Sequence, residues 1–350
     1  MSRKTFLYKL KNWEYWPSYM FYLPNIPYAC YLAVKAKSPV FYSAVNPGIY
    51  NSGNGMESKF DTIKMIPEPL RPKTILICEG EPIEIVLEKI KKEHLNFPLI
   101  AKPDIGFRGL LVKKINSREE LEQYLLKYPI KVIIQEYIDL PNECGIFYYR
   151  IPDEQKGHIT SITFKEFLTV TGTGKKSIEE LITEDKRARL YLKLLQELHG
   201  DTLHSILKNG EKFVLNTIGN HCKGTRFING NDFISNELEL SFDRLNKKID
   251  GWYYGRIDIK YNQFDDLLIG ENYKILEING IISEPTHIYD ASTHTYFKAV
   301  KSIAAHWKTI YKIAKTNHFI LHFPYTKTSA FIKDLVNLKR YTKRLHSLTR

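Results

Sequence analysis

Arg256-Ile257-Asp258 and Glu277-Ile278-Asn279 bring a guanidinium, two carboxylates and an amide into a pattern that can hold a metal. Segments 255–261 and 273–279 both alternate in hydropathy. They flank a turn-rich stretch with Asp265, Asp266 and Gly270, so an antiparallel hairpin is predicted. Side chains at i and i+2 share one face of a strand. A register that sets Asp258 opposite Glu277 therefore sets Arg256 opposite Asn279. Buried carboxylates without a counter-charge are costly. Magnesium held by such hard oxygen ligands, with nucleotide phosphates completing its shell, would supply that charge. Arg256 would then face a transferring phosphoryl group. The competing reading is a solvated hairpin with one Arg–Glu pair. Ile257, Ile259, Ile275 and Ile278 predict a packed reverse face under either reading.

Two further features concern phosphate and nucleoside. Ile100-Ala101-Lys102-Pro103 is followed by a turn containing Gly106, Arg108 and Gly109. A lysine at a strand end beside a glycine turn can contact phosphates while backbone N–H groups cover them. The segment lacks the GK[ST] ending of a Walker A loop. Gln135-Glu136-Tyr137-Ile138 reads as an extended segment, with Glu143 seven residues after Glu136. An extended segment offers adenine a backbone donor and acceptor, and an acid one bend later can accept two ribose hydroxyls. An edge strand with exposed acids would look the same.

The elements that must position these residues alternate irregularly. Strands are predicted at 74–78, 99–102, 110–114, 132–137, 145–150, 158–164, 166–171, 213–218 and 224–228. Helices are predicted at 81–93, from a capping-box start at Ser117 through Tyr128, and at 177–182 and 185–198. Strands and helices interleave without regular βαβ alternation, which argues for an α+β fold. The chain has 350 residues, enough for two or three packed subdomains, and 43% hydrophobic residues, enough for a core. Residues 1–36 hold Trp13, Tyr15, Trp16, Tyr19, Phe21 and Tyr22 among prolines, and read either as a packed layer or as an interfacial surface. At the other end, Phe331, Leu335, Leu338, Tyr341 and Leu345 recur at helical steps, opposite Lys333, Lys339, Arg340, Lys343 and Arg344. That helix either docks on the protein's own core or lies on an anionic membrane.

Lys plus Arg outnumber the acids by 51 to 39, a formal charge of +12 that suits an anionic partner. No nucleic-acid module with a readable signature is present, and no nucleic-acid partner is expected. No apolar run reaches the roughly 18 residues needed to span a bilayer, and no signal peptide is evident. Cys30, Cys78, Cys144 and Cys222 are dispersed, which excludes a disulfide framework or a cysteine metal site and suits a reducing compartment.

In order and rough spacing, the run of Lys-Pro, glycine turn, Gln-Glu strand, spaced Glu, Arg-x-Asp and Glu-x-Asn resembles the ATP-grasp superfamily. It is most similar to D-alanine–D-alanine ligase and cyanophycin-synthetase-like carboxylate–amine ligases, over roughly 57–290. The resemblance implies two α+β subdomains clamping ATP. It divides the chain into an atypical region at 1–72, subdomains at 73–140 and 141–315, and a basic amphipathic helical tail at 316–350. It implies Lys102, Gly106, Arg108 and Gly109 at the phosphates, Glu136, Tyr137 and Ile138 along adenine, and Glu143 on ribose. Asp258, Glu277 and Asn279 would bind magnesium, or manganese in its place, and Arg256 would stabilise the phosphoryl-transfer transition state.

Glu57-Ser58-Lys59 resembles the lysine segment ahead of the first subdomain, which implies Lys59 on the α-phosphate. Asn220-His221-Cys222-Lys223-Gly224 resembles the loop preceding the metal hairpin, which puts Lys223 at the γ-phosphate or the substrate carboxylate; a solvated loop lysine is the other reading. Segment 280–287, ending at His287, departs from the D-alanine-ligase pattern, so a D-alanyl-D-alanine product is not expected. The implied activity is an ATP-dependent ligase joining a small-molecule carboxylate to an amine through an acyl phosphate, with ADP and phosphate released. The alternatives are a phosphotransferase, a ligase with a non-amine acceptor, or a non-catalytic nucleotide-binding protein at a membrane surface. A cytoplasmic location follows, with the inner face of the membrane as a peripheral alternative.

Overall fold

The computed structural model describes residues 3–106 and 109–349. Two antiparallel sheets carry the residues singled out above. The first contains β1 (Thr74–Ile77), β2 (Leu99–Pro103), β3 (Lys113–Ile115) and β4 (Val132–Glu136), in the order β1-β4-β2-β3. Helices Ile83–Lys92 and Arg118–Lys127 bury Val86, Ile90, Leu121 and Tyr124 in one core with Ile75, Leu99 and Ile134. Ser117 starts the second helix by accepting the Glu120 N–H at 3.3 Å.

The following strands are β5 (Asn142–Tyr149), β6 (His158–Glu166), β7 (Thr169–Thr171), β8 (Lys212–Val214), β9 (Arg226–Asn229), β10 (Tyr254–Tyr261) and β11 (Tyr273–Ile278). Five of them form the larger sheet, in the order β11-β10-β5-β6-β9, while β7 and β8 pair separately. One face of the larger sheet packs Ile146, Ile257, Ile259, Ile275 and Ile278 against the helix Asn236–Asn246 and Trp252. The opposite face carries the polar residues.

Several elements differ from expectation. The β10–β11 connection is a helix, Phe264–Ile269, rather than a run of turns: Asp266 closes a capping box with Gln263, Leu267 enters the core, and Gly270 ends the helix at φ +86°. Strand β3 begins at Lys113, because Gly109 and Leu111 take φ of +67° and +58° and turn the chain there. The helix expected over 185–198 is split into a 3₁₀ turn, Ala188–Tyr191, and a helix, Leu192–His199. Strand β8 stops at Val214, and a loop occupies the rest of the expected span.

Among the described residues ahead of β1 there are helices and 3₁₀ turns but no strand. Phe21 is fully buried against Ile288, Ala299 and Ile303, so the aromatic segment is in part a packed layer, with Tyr19 and Tyr31 left exposed. A loop from this region reaches the larger sheet. Gly53, at φ +80°, lies so close to Gly280 that a Cβ would stand 2.6 Å from the Gly280 Cα. The carbonyls of Ser52 and Gly53 accept from the N–H groups of Ile281 and Ile282, each at 3.0 Å.

Helix Thr328–Ser347 docks on the protein. Phe331 packs edge-on to Tyr42, Asp334 accepts from Tyr50 and Asn51, and Leu345 enters the core of the small sheet. Its basic residues Lys333, Lys339, Arg340, Lys343 and Arg344 remain exposed, as do Ile332, Leu335 and Val336. Among the described residues no helix is long and apolar enough to cross a membrane.

Candidate active site

Strands β10 and β11 pair with Asp258 opposite Glu277. The Asn279 N–H donates to the Arg256 carbonyl at 2.9 Å, which sets that pair opposite as well. Arg256 Nη2 lies 3.1 Å from Asp258 Oδ2, and Asn279 Nδ2 donates to the same oxygen at 3.3 Å. On its other edge β10 pairs with β5, and β5 with β6. Lys165 on β6 reaches both Glu143, at 2.6 Å, and Asp258, at 2.9 Å. Between these residues β5 carries Gly145, directly opposite Asp258. A Cβ there would stand 3.1 Å from Arg256 Cδ and 3.4 Å from Asp258 Oδ1, so the missing side chain opens the space they occupy.

The small sheet contributes Lys102, at the end of β2, with only 7% of its surface exposed. Its ammonium donates to Gln135 Oε1 at 3.1 Å. Among the described residues it has no ion-pair partner within 4.0 Å. Burial pulls its pKa down to about 8, with Lys59 pulling the same way and Glu277 opposing.

Lys59 comes from the helix Lys59–Met65, whose start is fixed from the small sheet. Asp104 accepts from Ser58 Oγ at 2.9 Å and from the Phe60 N–H at 3.0 Å, and the Asp104 carbonyl accepts the Lys59 N–H. Thus held, Lys59 pairs with Glu277 at 2.5 Å.

The electrostatics follow from this crowding. Burial would raise the Asp258 carboxyl, but Arg256 and Lys165 outweigh it and hold the group well below the usual carboxylate range. Burial likewise opposes ionisation of Glu277, and Lys59 and Lys102 reverse the balance. Burial disfavours the Lys165 charge, yet Asp258 and Glu143 raise its pKa on balance. Lys59 pairs with Glu277, Arg256 with Asp258, and Lys165 with both Asp258 and Glu143. Of these four basic side chains, the buried Lys102 is the one with no ion pair within 4.0 Å among the described residues.

The other expected residues lie around this cluster. Glu143 is pressed under the 216–224 loop; a Cβ on Gly219 would collide with its carboxylate. Glu136 accepts from the Lys73 N–H, Tyr137 lies under the Lys114 ammonium at 3.9 Å, and Ile138 is buried. Gly106 and Gly109 take φ of +152° and +67°, while Arg108 lies outside the described residues. Gly109 approaches the loop bearing Lys223, where a Cβ would stand 3.6 Å from Lys223 Cε. Burial lowers the pKa of Lys223. Arg187 braces that loop by donating to the carbonyls of Gly224 and Thr225, each at 2.9 Å, while its other end pairs with Glu14. His287 is buried against Ser161 at 2.7 Å, and burial pushes it down to about 3, so it is neutral and held within the fold.

Among the described residues no group of three or more His, Cys, Asp or Glu is arranged for a metal. The hairpin instead offers two ionised carboxylates with an amide beside them, a hard-oxygen set that fits magnesium or manganese once phosphate oxygens complete the shell.

Lys165, Gly145 and Asp104 were not singled out in the sequence. A glycine within a strand was the one available signal, for Gly145. Lys165 and Asp104 act through neighbours far away in the chain.

Residues 59–199 match the model of the RimK-like ATP-grasp domain. The resemblance read from the motifs therefore stands, and the α+β architecture is of the ATP-grasp type. The match spans Lys59, Lys102, Glu143 and Lys165 and stops short of Lys223 and the β10–β11 hairpin. No curated protein matches the chain.

Similar solved structures include the VanG D-Ala:D-Ser ligase from Enterococcus faecalis, at 16% identity and a TM-score of 0.41, over 73% of this chain and 61% of that one. The D-alanine–D-alanine ligase from Bacillus anthracis matches at 16% identity and 0.41, over 76% and 71%. A bifunctional glutathione synthetase from Pasteurella multocida matches at 15% and 0.36, over 70% and 35%. The chain thus matches less than two thirds of the length of the first and last of these.

Proposed function

We propose that the protein is an ATP-dependent carboxylate–amine ligase. The observation that carries this reading is Lys102, buried and with no ion pair within 4.0 Å among the described residues. A buried lysine held only by an amide, beside two ionised carboxylates and an arginine, is arranged for an anion that arrives with its own metal.

ATP would lie between the two sheets. Lys102, Lys59 and the Gly106–Gly109 turn would meet its phosphates, the Glu136–Ile138 segment would run along adenine, and Glu143 would turn to the ribose. Asp258, Glu277 and Asn279 would hold magnesium, which neutralises phosphate charge when bound. Lys59 and Lys165, now paired with Glu277 and Asp258, would turn to phosphate oxygens where those carboxylates hold the metal instead. A carboxylate oxygen of the substrate attacks the γ-phosphorus, the bond to the ADP oxygen breaks, and an acyl phosphate forms. Arg256 and Lys223 stabilise the charge on the transferring group. The amine nitrogen then attacks the acyl carbon, phosphate leaves, and the nitrogen gives its proton to solvent. Positioning and electrostatics carry such a transfer, so the site needs no nucleophilic side chain.

The test is a screen of carboxylates and amines that reads ADP and phosphate, with product mass determined for each hit. ADP release requiring both substrates supports the ligase. Release with a carboxylate and a non-amine acceptor, or ATP binding with no turnover, rejects it.

A further inference from the structure

Beside the cation cluster lies a cavity of about 320 Å³, large enough for a ligand group of appreciable size. Its walls come from three distant parts of the chain: Asn54 in the N-terminal loop, Ile282 and Ser283 after β11, and Ile303, Trp307 and Phe331 from the two long helices. The 281–285 wall is directly continuous with the strand bearing Glu277. Its Glu284 carbonyl accepts from Arg256 Nη1 at 3.4 Å. Asn54 connects to the same cluster by a short piece of chain. Glu57, three residues on, accepts the Gly55 N–H, and Lys59 pairs with Glu277.

The polar groups of this apolar wall favour one ligand chemistry. Asn54 is 6% exposed, and its Nδ2 has no hydrogen-bond partner. Its Oδ1 accepts the Met56 N–H at 3.2 Å, which fixes the amide orientation and leaves the donor end unused. An unmet buried donor costs about 1–3 kcal/mol, which an acceptor brought to it would recover. His306 is neutral, pushed down to about 4 by burial, and both its nitrogens are engaged, with Tyr254 and Thr160. Glu284, between wall residues Ser283 and Pro285, has its carboxylate taken up by the hydroxyls of Tyr289, at 2.7 Å, and Tyr22.

We propose that this cavity receives the apolar part of the carboxylate substrate, with Asn54 Nδ2 donating to one of its oxygens. The inference rests on the ligase reading and narrows it: the acid carries an aliphatic or aromatic group.

The test uses the full chain, straight-chain n-alkanoates from acetate to dodecanoate below their micelle concentrations, and the matching n-alkylamines. Binding is followed by calorimetry and by tryptophan fluorescence. Alkanoate affinity should rise about fourfold per methylene until the cavity is full. Leu335→Trp, at a half-exposed wall position, and Ile303→Phe should each flatten that dependence while ATP affinity stays unchanged. Asn54→Leu should weaken every alkanoate about tenfold without altering the dependence on chain length. Affinity independent of chain length, equal dependence in both filled variants, or tighter binding of the amines would each overturn the proposal. ADP release with the same acids and an amine panel is read separately. Chain-length-dependent binding without ADP release removes the ligase reading and leaves the cavity's ligand class standing. ADP release confined to acetate-sized acids, with flat binding, removes the cavity proposal and leaves the ligase.

Discussion

Lys102 donates to the amide oxygen of Gln135 at 3.1 Å, a neutral partner for a buried ammonium. An amide satisfies one N–H but brings no charge, so the ammonium is balanced only from beyond ion-pair distance, by Glu277, Asp258 and Glu143. Replacing Lys102 with Ala should weaken ATP binding by about 1.5–3 kcal/mol, the worth of a charge-assisted hydrogen bond, or roughly ten- to a hundredfold in Kd. Calorimetric titration with ATP and magnesium checks this, and equal affinity in the two proteins rejects a phosphate role for Lys102.

The same lysine sets a pH signature in the nucleotide-free protein. Its folded pKa of about 8 lies below its unfolded value, so between the two the unfolded chain binds more protons. The Lys102 contribution therefore makes stability rise as pH climbs from about 8 to the ordinary lysine value near 10.4. ATP affinity should fall over the same window as the ammonium is lost. Denaturant melts and ATP titrations at pH 7 to 10, on wild type and Lys102→Met, check both signs; the variant should lack both trends.

Glu277→Gln should lower turnover by about two or more orders of magnitude, since it removes charge facing the metal. Chelation by EDTA should abolish turnover, and added magnesium should restore it. Asp258→Asn should do the same and also destabilise the fold. Its carboxylate compensates Arg256 and Lys165 together, and unpairing buried cations costs about 3–5 kcal/mol. Turnover by coupled ADP assay and urea midpoints separate the two effects. Full activity in both variants rejects the metal assignment.

Acid should act through the same aspartate. The folded pKa of Asp258 is depressed, so its stabilising contribution is fully present above the unfolded carboxylate value, begins to fall there, and is lost as pH drops on through the lower folded value. Urea midpoints measured from pH 6 down to pH 3 should fall more steeply for wild type than for Asp258→Asn.

Gly145→Val adds a side chain whose Cβ would stand 3.1 Å from Arg256 Cδ and 3.4 Å from Asp258 Oδ1, so Arg256 must shift. Activity should fall at least about tenfold, with ATP affinity less affected than turnover, because Lys102 lies on the other sheet. Unchanged turnover would show that the Arg256–Asp258 pair tolerates displacement.

On the outer face of the last helix, substituting Lys339, Arg340 and Lys343 with Glu tests membrane contact. Sedimentation with anionic liposomes at low salt should be lost if those residues bind the surface, each contributing roughly 1 kcal/mol. Equal sedimentation of variant and wild type would leave the helix as packing alone.

The β10–β11 pairing was legible from two alternating segments, with Asp258 opposite Glu277 as one register they allow; the irregularity between Asp258 and Ile259, which lets both Ile275 and Ile278 face the core, was not legible. Lys102 was legible as a cation ending a strand beside glycines. Lys165 was not: nothing in the Ile162–Glu166 stretch says that β6 lies next to β5, and that adjacency alone brings its ammonium to Glu143 and Asp258. Asp104 was passed over for the same reason, since its partner helix begins 45 residues earlier in the chain. The helix between β10 and β11 was masked by Asp265, Asp266 and Gly270, which serve capping as readily as turning.

Leu345 imposes an order on how the protein is made. It fills the core of the small sheet, whose last strand ends at Glu136, and its Cδ1 lies 3.6 Å from where a Cβ on Gly106 would stand. On the ribosome, roughly two hundred residues separate the completion of that strand from the arrival of its final packing partner, an interval of about 10–40 s. During it, the apolar surface that Leu345 covers is open to solvent and to any chaperone that reads such surfaces. The Gly106 turn thus acquires this support only once the β10–β11 hairpin has been synthesised, which favours assembly of the larger sheet before the smaller one is fully consolidated.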